Sequence, residues 1–192
     1  MSIYLVRHGQ TEFNAGRRLQ FPHTPLSEHG FQQAARVAER LVPVAAGAIL
    51  ASDFVRAAQT AESVAAATGL VIEWEPLLQE RHFGELRGRY YGELDFDPKA
   101  PDYSPPGGED WPTFDARVAR AFEAVIARRA RMTQPLIVVS HGLMLGQMLR
   151  HHMRLGQTMV VPEELGNTSI TAVAATPPYQ VRLLNSTEHL AA

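Results

Sequence analysis

Two kinds of spacing alternate along this chain: short, unbroken apolar runs, and longer stretches in which apolar residues recur every three or four positions. Ile3–Val6, Ala48–Ala51, Leu70–Trp74 and Leu136–Val139 are runs of the first kind, the pattern of strands covered on both faces. Ser169–Ala174 and Gln180–Leu184 read as two further strands. Between them, Phe31, Ala34, Ala35, Ala38 and Leu41 follow helical spacing, with Ser27 as the expected N-cap and Pro43 as the stop. Ser52 or Asp53 is the expected cap of a second helix, which carries Val55, Ala58, Ala61 and Ala65 and ends at Thr68 before Gly69. Pro112 sits where a first helical turn tolerates proline, and Phe114, Val118, Ala121, Phe122, Val125 and Ile126 mark a long third helix. A fourth runs from about Leu143 to Arg154.

Strands that alternate with helices need crossover connections, so the pattern predicts an α/β domain with a mostly parallel sheet covered on both faces, a three-layer α/β/α sandwich. A length of 192 residues fits one such domain, residues 1–192. The stretch at about 85–111 has no period and is rich in Gly, Pro, Tyr and Asp, so it is read as a lid-like insertion over a site.

Composition narrows the chemistry. The chain has no cysteine, which excludes a thiolate nucleophile and any cysteine-held metal or cluster. A net charge of -2 and a sequence pI near 6.4 argue against a surface that grips nucleic acid through general basicity. No apolar run is long enough for a membrane span and no export signal is visible, so the expectation is a cytoplasmic protein without nucleic-acid or membrane partners. Lys99 is the sole lysine and every other fixed cation is an arginine. Base composition of a genome produces such a bias equally well, so only arginines at strand ends count as evidence.

Open α/β sheets bind ligands beyond the carboxyl ends of their strands. Here the first strand ends in Arg7-His8-Gly9, the second is followed by Arg56, the third by Glu80-Arg81-His82, and the fourth by Ser140-His141-Gly142. One His-Gly after a strand is more often a packing histidine, but two of them flanked by arginines are a site. A neutral imidazole is a competent nucleophile toward phosphorus, and nearby positive charge keeps it unprotonated. Arginine forks clamp phosphoryl oxygens, and Glu80 can protonate the leaving alkoxide if burial raises its pKa. This logic requires neither metal nor cofactor.

With Asn14 shortly after it, the segment Leu5-Val6-Arg7-His8-Gly9-Gln10-Thr11 resembles the signature of the histidine phosphatase superfamily, which includes cofactor-dependent phosphoglycerate mutases and many small phosphatases. The resemblance continues through Pro25-Leu26-Ser27-Glu28, Ser52–Ala61, Glu80–Gly84 with Gly88, and Ser140-His141-Gly142, in order along nearly the whole chain. It implies a phosphoglycerate mutase-like fold, His8 as the phosphohistidine, and Arg7, Arg56 and His141 as the phosphate pocket. Asn14 and the Gly142 amide would add phosphate contacts, and Glu80 would be the proton donor. Gln20 and Arg81 are further candidates for substrate contact, and Asn167 matches a late motif near the site.

Glu80-Arg81-His82-Phe83-Gly84 is similar to the mutase version of its motif. Tyr91, however, stands where mutases carry a lysine, and only Arg89 and Lys99 supply cations between Gly88 and Pro112. The expected activity is therefore metal-independent hydrolysis of a small phosphomonoester, with phosphoglycerate mutation and noncatalytic phospholigand binding as alternatives and a homodimer left open. The stretch Arg18–Leu26 departs from the family pattern, with Phe21, Pro22 and His23 in a shortened loop. Adjacent His151 and His152 point about 100° apart on a helix and are not expected to chelate one ion.

Overall fold

The computed structural model describes residues 2–191 and contains the expected α/β architecture. Strands β1 (Ser2–Arg7), β2 (Ala48–Ala51), β3 (Ile72–Trp74), β4 (Leu136–Ser140), β5 (Ile170–Ala174) and β6 (Val181–Ser186) form one sheet in the order β3-β2-β4-β1-β5-β6. The first four are mutually parallel, while β5 runs antiparallel to β1 and β6 antiparallel to β5. The helices are α1 (Glu12–Ala15), α2 (Glu28–Leu41), α3 (Val55–Thr68), α4 (Trp111–Ala130) and α5 (Gly142–His152). Among the described residues no helix is long and apolar enough to cross a membrane.

The period of two along each strand divides the core into layers. Ile3, Leu5, Ala48, Leu50, Leu136 and Val138 face α4 and α5, packing on Phe114, Val118, Met144 and Met148. Their neighbours Val6, Ile49, Ala51, Ile137 and Val139 face α2 and α3, packing on Val37, Leu41, Ala57 and Val64. Because both faces are covered, the strands read as continuous apolar runs rather than as alternating ones.

Chain connectivity places the site. β1 leads to α2 on one face, and β4, its neighbour in the sheet, leads to α5 on the other. Helices that leave adjacent parallel strands in opposite directions open a crevice at the strand ends. The register sets Arg7 beside Ser140, and the His8 amide donates to the Ser140 carbonyl at 3.0 Å, so the two His-Gly pairs lie side by side.

Some local readings are corrected. Phe31 and Ala35 were expected on the buried face of α2, yet Phe31 is 46% exposed, and the buried positions are Gly30, Gln33, Ala34, Val37, Ala38 and Leu41. The helix is rotated because Gly30 packs against the Gln10 backbone, where a Cβ would lie 2.0 Å from the carbonyl oxygen, and because Gln33 Oε1 accepts from the Gln10 amide at 2.8 Å. A close backbone contact and a buried hydrogen bond outweigh the apolarity of one phenylalanine. Neither Ser52 nor Asp53 caps α3, whose N-cap position is Phe54, without a side-chain cap bond. β3 begins at Ile72 rather than Leu70, α5 ends at His152, and the short helix α1, capped by Thr11, was not anticipated.

The stretch 85–110 is irregular, with single 3-10 turns at Gly84–Leu86 and Tyr91–Glu93, and the expected bound at 111 moves back by one residue because α4 starts at Trp111. It is nevertheless tied down. Leu86 and Phe83 form a small core with Leu19, against which Tyr91, Leu94, Tyr103 and Leu143 pack. Arg81, 1% exposed, donates to the carbonyls of Glu109 (3.0 Å), Pro98 (3.3 Å) and Tyr103 (3.0 Å), and its guanidinium lies 4.2 Å from the Trp111 ring centroid.

Candidate active site

The strand ends and the insertion enclose a cavity of about 280 Å³, whose floor includes Arg7, His8, Asn14, Arg56, Glu80 and Gly142. β1 delivers Arg7 and His8, α1 delivers Asn14, the first turn of α3 delivers Arg56, and α5 opens at Gly142. The sheet thus gathers residues that lie far apart in sequence.

His8 is 2% exposed, with Nδ1 lying 2.7 Å from the Gly9 carbonyl oxygen. A carbonyl only accepts, so Nδ1 carries the ring proton and Nε2 keeps its lone pair. That lone pair accepts from Arg56 Nε at 3.2 Å. Burial, and next the charges of Arg56 and Arg7, hold the His8 pKa well below the ordinary imidazole value. The imidazole is therefore neutral, with its reactive nitrogen presented among cations.

Gly9 sits where its neighbours leave no room for a side chain. A Cβ there would lie 2.6 Å from the Gly30 carbonyl oxygen. The close approach it permits is therefore to the start of α2 rather than to a ligand. Its amide donates to Thr60 Oγ1 at 3.1 Å, which fixes the loop after His8 to α3.

Arg56 is 2% exposed, and its Nη1 donates to the Phe21 carbonyl at 3.0 Å. Burial pushes its pKa down to about 10, with Glu80 opposing and Arg7 adding to the shift, so it stays charged at neutral pH. Arg7 bonds the Leu165 carbonyl through Nη1, while its buried Nε has no partner. Burial lowers its pKa, and Glu80 opposes this.

His141 is fully buried, and its ring centroid lies 5.2 Å from that of His8. Its pKa is also held well below the ordinary value, by burial first and then by Arg56, His8 and Arg7. Nε2 lies 2.8 Å from Ser52 Oγ, whereas Nδ1 is buried without a partner. Sequence reasoning took Ser52 only as a possible helix cap. Its place at the end of β2, beside the other strand-end residues, was the signal for a role in the site.

Glu80 is seated on the start of α5. Its Oε2 accepts from the Leu143 amide (3.1 Å), and its Oε1 accepts from the amides of Met144 (3.1 Å) and Arg81 (3.0 Å). An acidic side chain at a helix N-terminus meets unpaired N–H groups and the positive end of the helix dipole. The Gly142 amide, first in the helix, is not among those claimed by Glu80.

Asn14 Oδ1 accepts from the Thr11 amide at 3.2 Å, which assigns the amide orientation and leaves Nδ2 for other partners. Gln20 lines the cavity, with Oε1 2.9 Å from Thr11 Oγ1. Arg81 borders the same cavity, but each of its guanidinium nitrogens bonds a main-chain carbonyl of the insertion or of Glu109. Asn167 Nδ2 donates to the His8 carbonyl at 3.1 Å, so it supports the backbone of His8. His151 and His152 diverge as expected, and His152 stacks on Phe122 with centroids 4.9 Å apart. Among the described residues, no three His, Asp or Glu side chains gather as a metal-holding group.

Charges at the mouth are mixed. Lys99 Nζ pairs with Glu164 at 3.1 Å, and Asp97, Glu163, Arg17 and Arg87 also line the cavity, with Arg87 Nη1 3.0 Å from His82 Nε2. Arg18 is drawn aside, its guanidinium between the rings of Phe13 and Tyr90 at 4.7 Å from each centroid.

Comparison with known proteins places the chain in a family. A family model described as the histidine phosphatase superfamily (branch 1) matches residues 3–186. A protein of Proteus mirabilis (strain HI4320) named probable phosphoglycerate mutase GpmB is 35% identical over 159 residues, covering 78% of this chain and 73% of its own. A mycobacterial glucosyl-3-phosphoglycerate phosphatase in complex with VO3 superposes with a TM-score of 0.82 at 28% identity, covering 97% of this chain and 99% of that one. Bacillus stearothermophilus YhfR gives a TM-score of 0.85 at 28% identity, covering 98% of each chain. A putative alpha-ribazole-5'-P phosphatase from Escherichia coli gives 0.80 at 26% identity, covering 97% of this chain and 96% of that one.

Proposed function

We propose that this chain, which belongs to the histidine phosphatase superfamily (branch 1), is a metal-independent phosphomonoester hydrolase that works through a phosphohistidine on His8. The observation that carries the reading is the state of His8: a neutral imidazole whose Nε2 lone pair faces a cavity floored by Arg7 and Arg56. Nε2 attacks phosphorus and the bond to the ester oxygen breaks in line, so charge accumulates on the phosphoryl oxygens and on the leaving oxygen. Arg7 Nε, the Arg56 fork, Asn14 Nδ2, the Gly142 amide and His141 Nδ1 are donors for the phosphoryl oxygens. Bound phosphate displaces Nε2 of His8 from its bond with Arg56 Nε and takes that donor over.

The leaving oxygen takes a proton from Glu80. Oε1 already accepts two amides and Oε2 one, so Oε2 is the oxygen with a lone pair to carry the proton. In the second half-reaction Glu80 removes a proton from water, whose oxygen attacks phosphorus as the bond to Nε2 breaks. Inorganic phosphate leaves, and the neutral imidazole returns. Arg81 serves in this reading to hold the insertion over the cavity rather than to bind substrate.

Hydrolysis is favoured over transfer to a second hydroxyl by the mouth. Its lining includes the carboxylates of Asp97, Glu163 and Glu164 beside the cations, and Lys99 is already paired, which weakens the hold on a second anionic group. The name of the Proteus mirabilis relative favours the second reading, phosphoglycerate mutation. One assay separates them. Purified protein in chelator should release phosphate from an aryl phosphate, leave 3-phosphoglycerate unisomerised, and form an acid-labile phosphoenzyme that His8→Ala lacks. Isomerisation would install the mutase reading, and full activity in His8→Ala would end both.

A further inference from the structure

Arg117 belongs to no part of the site as described, does not line the cavity, and yet has every nitrogen of its guanidinium engaged. Nη1 donates to the carbonyls of Leu77 (2.9 Å) and Gln79 (2.6 Å), and Nη2 donates to that of Glu80 (3.1 Å). Nε and Nη2 also form a forked pair with the Glu109 carboxylate, at 2.8 and 2.7 Å. Glu109 in turn accepts from the His82 amide at 2.8 Å. The backbone is thus gripped at Leu77, Gln79 and Glu80 by Arg117 and at His82 by its partner, on both sides of the Glu80 side chain. Ser140 Oγ adds a bond to the Leu78 carbonyl at 2.7 Å.

We infer that Arg117 is a positioning residue that fixes Glu80 for proton transfer, by clamping residues 77–82 to helix α4 while α5 seats the carboxylate. The inference rests on the reading of Glu80 as proton donor. The clamp is well made. Arg117 and Glu109 side chains are only 13% and 16% exposed, and although burial of Glu109 works the other way, its bonds to Arg117 hold its carboxyl below the usual range. A fork that bonds three carbonyls and a carboxylate at once requires the planar guanidinium, which lysine does not supply. An oxygen shifted by an ångström transfers a proton poorly, and in the first half-reaction, which kcat/KM reads, that loss falls on protonation of the leaving group.

Leaving groups separate this from a merely structural role. An alkyl phosphate expels a strongly basic alkoxide that must be protonated as the P–O bond breaks, whereas p-nitrophenolate leaves without help. Glu80→Gln, Arg117→Lys and Arg117→Ala are compared with wild type for kcat and KM on p-nitrophenyl phosphate and on an unactivated alkyl phosphate. Urea unfolding and inorganic-phosphate binding report on folding and on the pocket. For Arg117→Lys, kcat/KM on the alkyl ester is expected to fall about tenfold or more, and on the aryl ester less than about threefold, following the pattern of Glu80→Gln, while kcat also carries the shared hydrolysis of the phosphohistidine. Combining Arg117→Lys with Glu80→Gln should add little further loss. Should Arg117→Ala fail to fold, Arg117→Lys, which keeps the charge and loses the fork, carries the test. Equal losses of kcat/KM on both esters in the Arg117 variants, beside a selective loss in Glu80→Gln, would overturn the clamp alone. A Glu80→Gln variant that loses kcat/KM equally on both esters would overturn the proton-donor reading and the clamp with it.

Discussion

Acidification should weaken this fold through the two buried histidines at its strand ends, and the size of the effect follows from their burial. His8 and His141 are held well below the ordinary imidazole value of 6.5, first by burial and then by Arg56, so the native protein keeps both neutral. Unfolding releases them to bind protons near that ordinary value. The unfolded chain then carries more protons than the native one, and stability must rise with pH across the window. It is fully present above about pH 6.5 and is lost as pH falls toward the depressed native values. Each histidine contributes about 1.4 kcal/mol per pH unit in that window, or about 2.7 kcal/mol together, against a typical total stability of about 5–15 kcal/mol. Urea unfolding between about pH 7.5 and pH 5.5 measures this, with the His8→Gln/His141→Gln double variant as control. His82, His152 and His189 are shifted in the same direction, so the difference between the two proteins isolates His8 and His141. An equally steep loss in the double variant would refute the reasoning, and so would an acid inflection near pH 6.5 in aryl phosphate hydrolysis traced to His8.

Ser52→Ala removes the one hydrogen-bond partner that the His141 ring has among the described residues and leaves both of its buried nitrogens unpaired, so unfolding free energy should fall by about 1–3 kcal/mol. The same variant should bind inorganic phosphate about tenfold more weakly by calorimetry, because Nδ1 is no longer fixed as a donor, and unchanged binding would remove Ser52 from the site. Gly30→Ala gains about 1 kcal/mol of helix propensity, but its Cβ would lie 2.0 Å from the Gln10 carbonyl oxygen. Displaced backbone costs about 1–3 kcal/mol or more, so denaturation midpoints should drop and aryl phosphate hydrolysis with them. Arg81→Met should leave p-nitrophenyl phosphate binding close to wild type while protease cleavage within 97–109 accelerates, since its bonds anchor that segment.

Much of the fold was legible because buried strands and amphipathic helices carry their own periods. Ile3, Leu5, Leu136 and Val138 announce strands in any context, and four such runs separated by helices leave few topologies. The site was legible for a similar reason: chemistry in an open parallel sheet collects at strand ends, and Arg7, His8, Glu80 and His141 each follow one. Legibility failed where a residue's role depends on what packs beside it. Phe31 and Gln33 could not be assigned to the outside and inside of α2 from spacing, because the deciding contact is Gly30 against Gln10. Ser52 looked like a cap, because the histidine that claims its hydroxyl lies at the end of another strand.

Sequence alone determined the layered α/β fold and the gathering of His8, His141 and arginines at its strand ends, since these follow from local periodicity and from residue types at strand ends. Tertiary structure alone decided which nitrogen of His8 is free, what orients His141, where the Glu80 carboxylate sits and what Arg81 and Arg117 do. Each of those rests on a hydrogen bond between groups distant in the chain. A hydrogen bond depends on position to a fraction of an ångström, and only the packed sheet and helices set positions that finely.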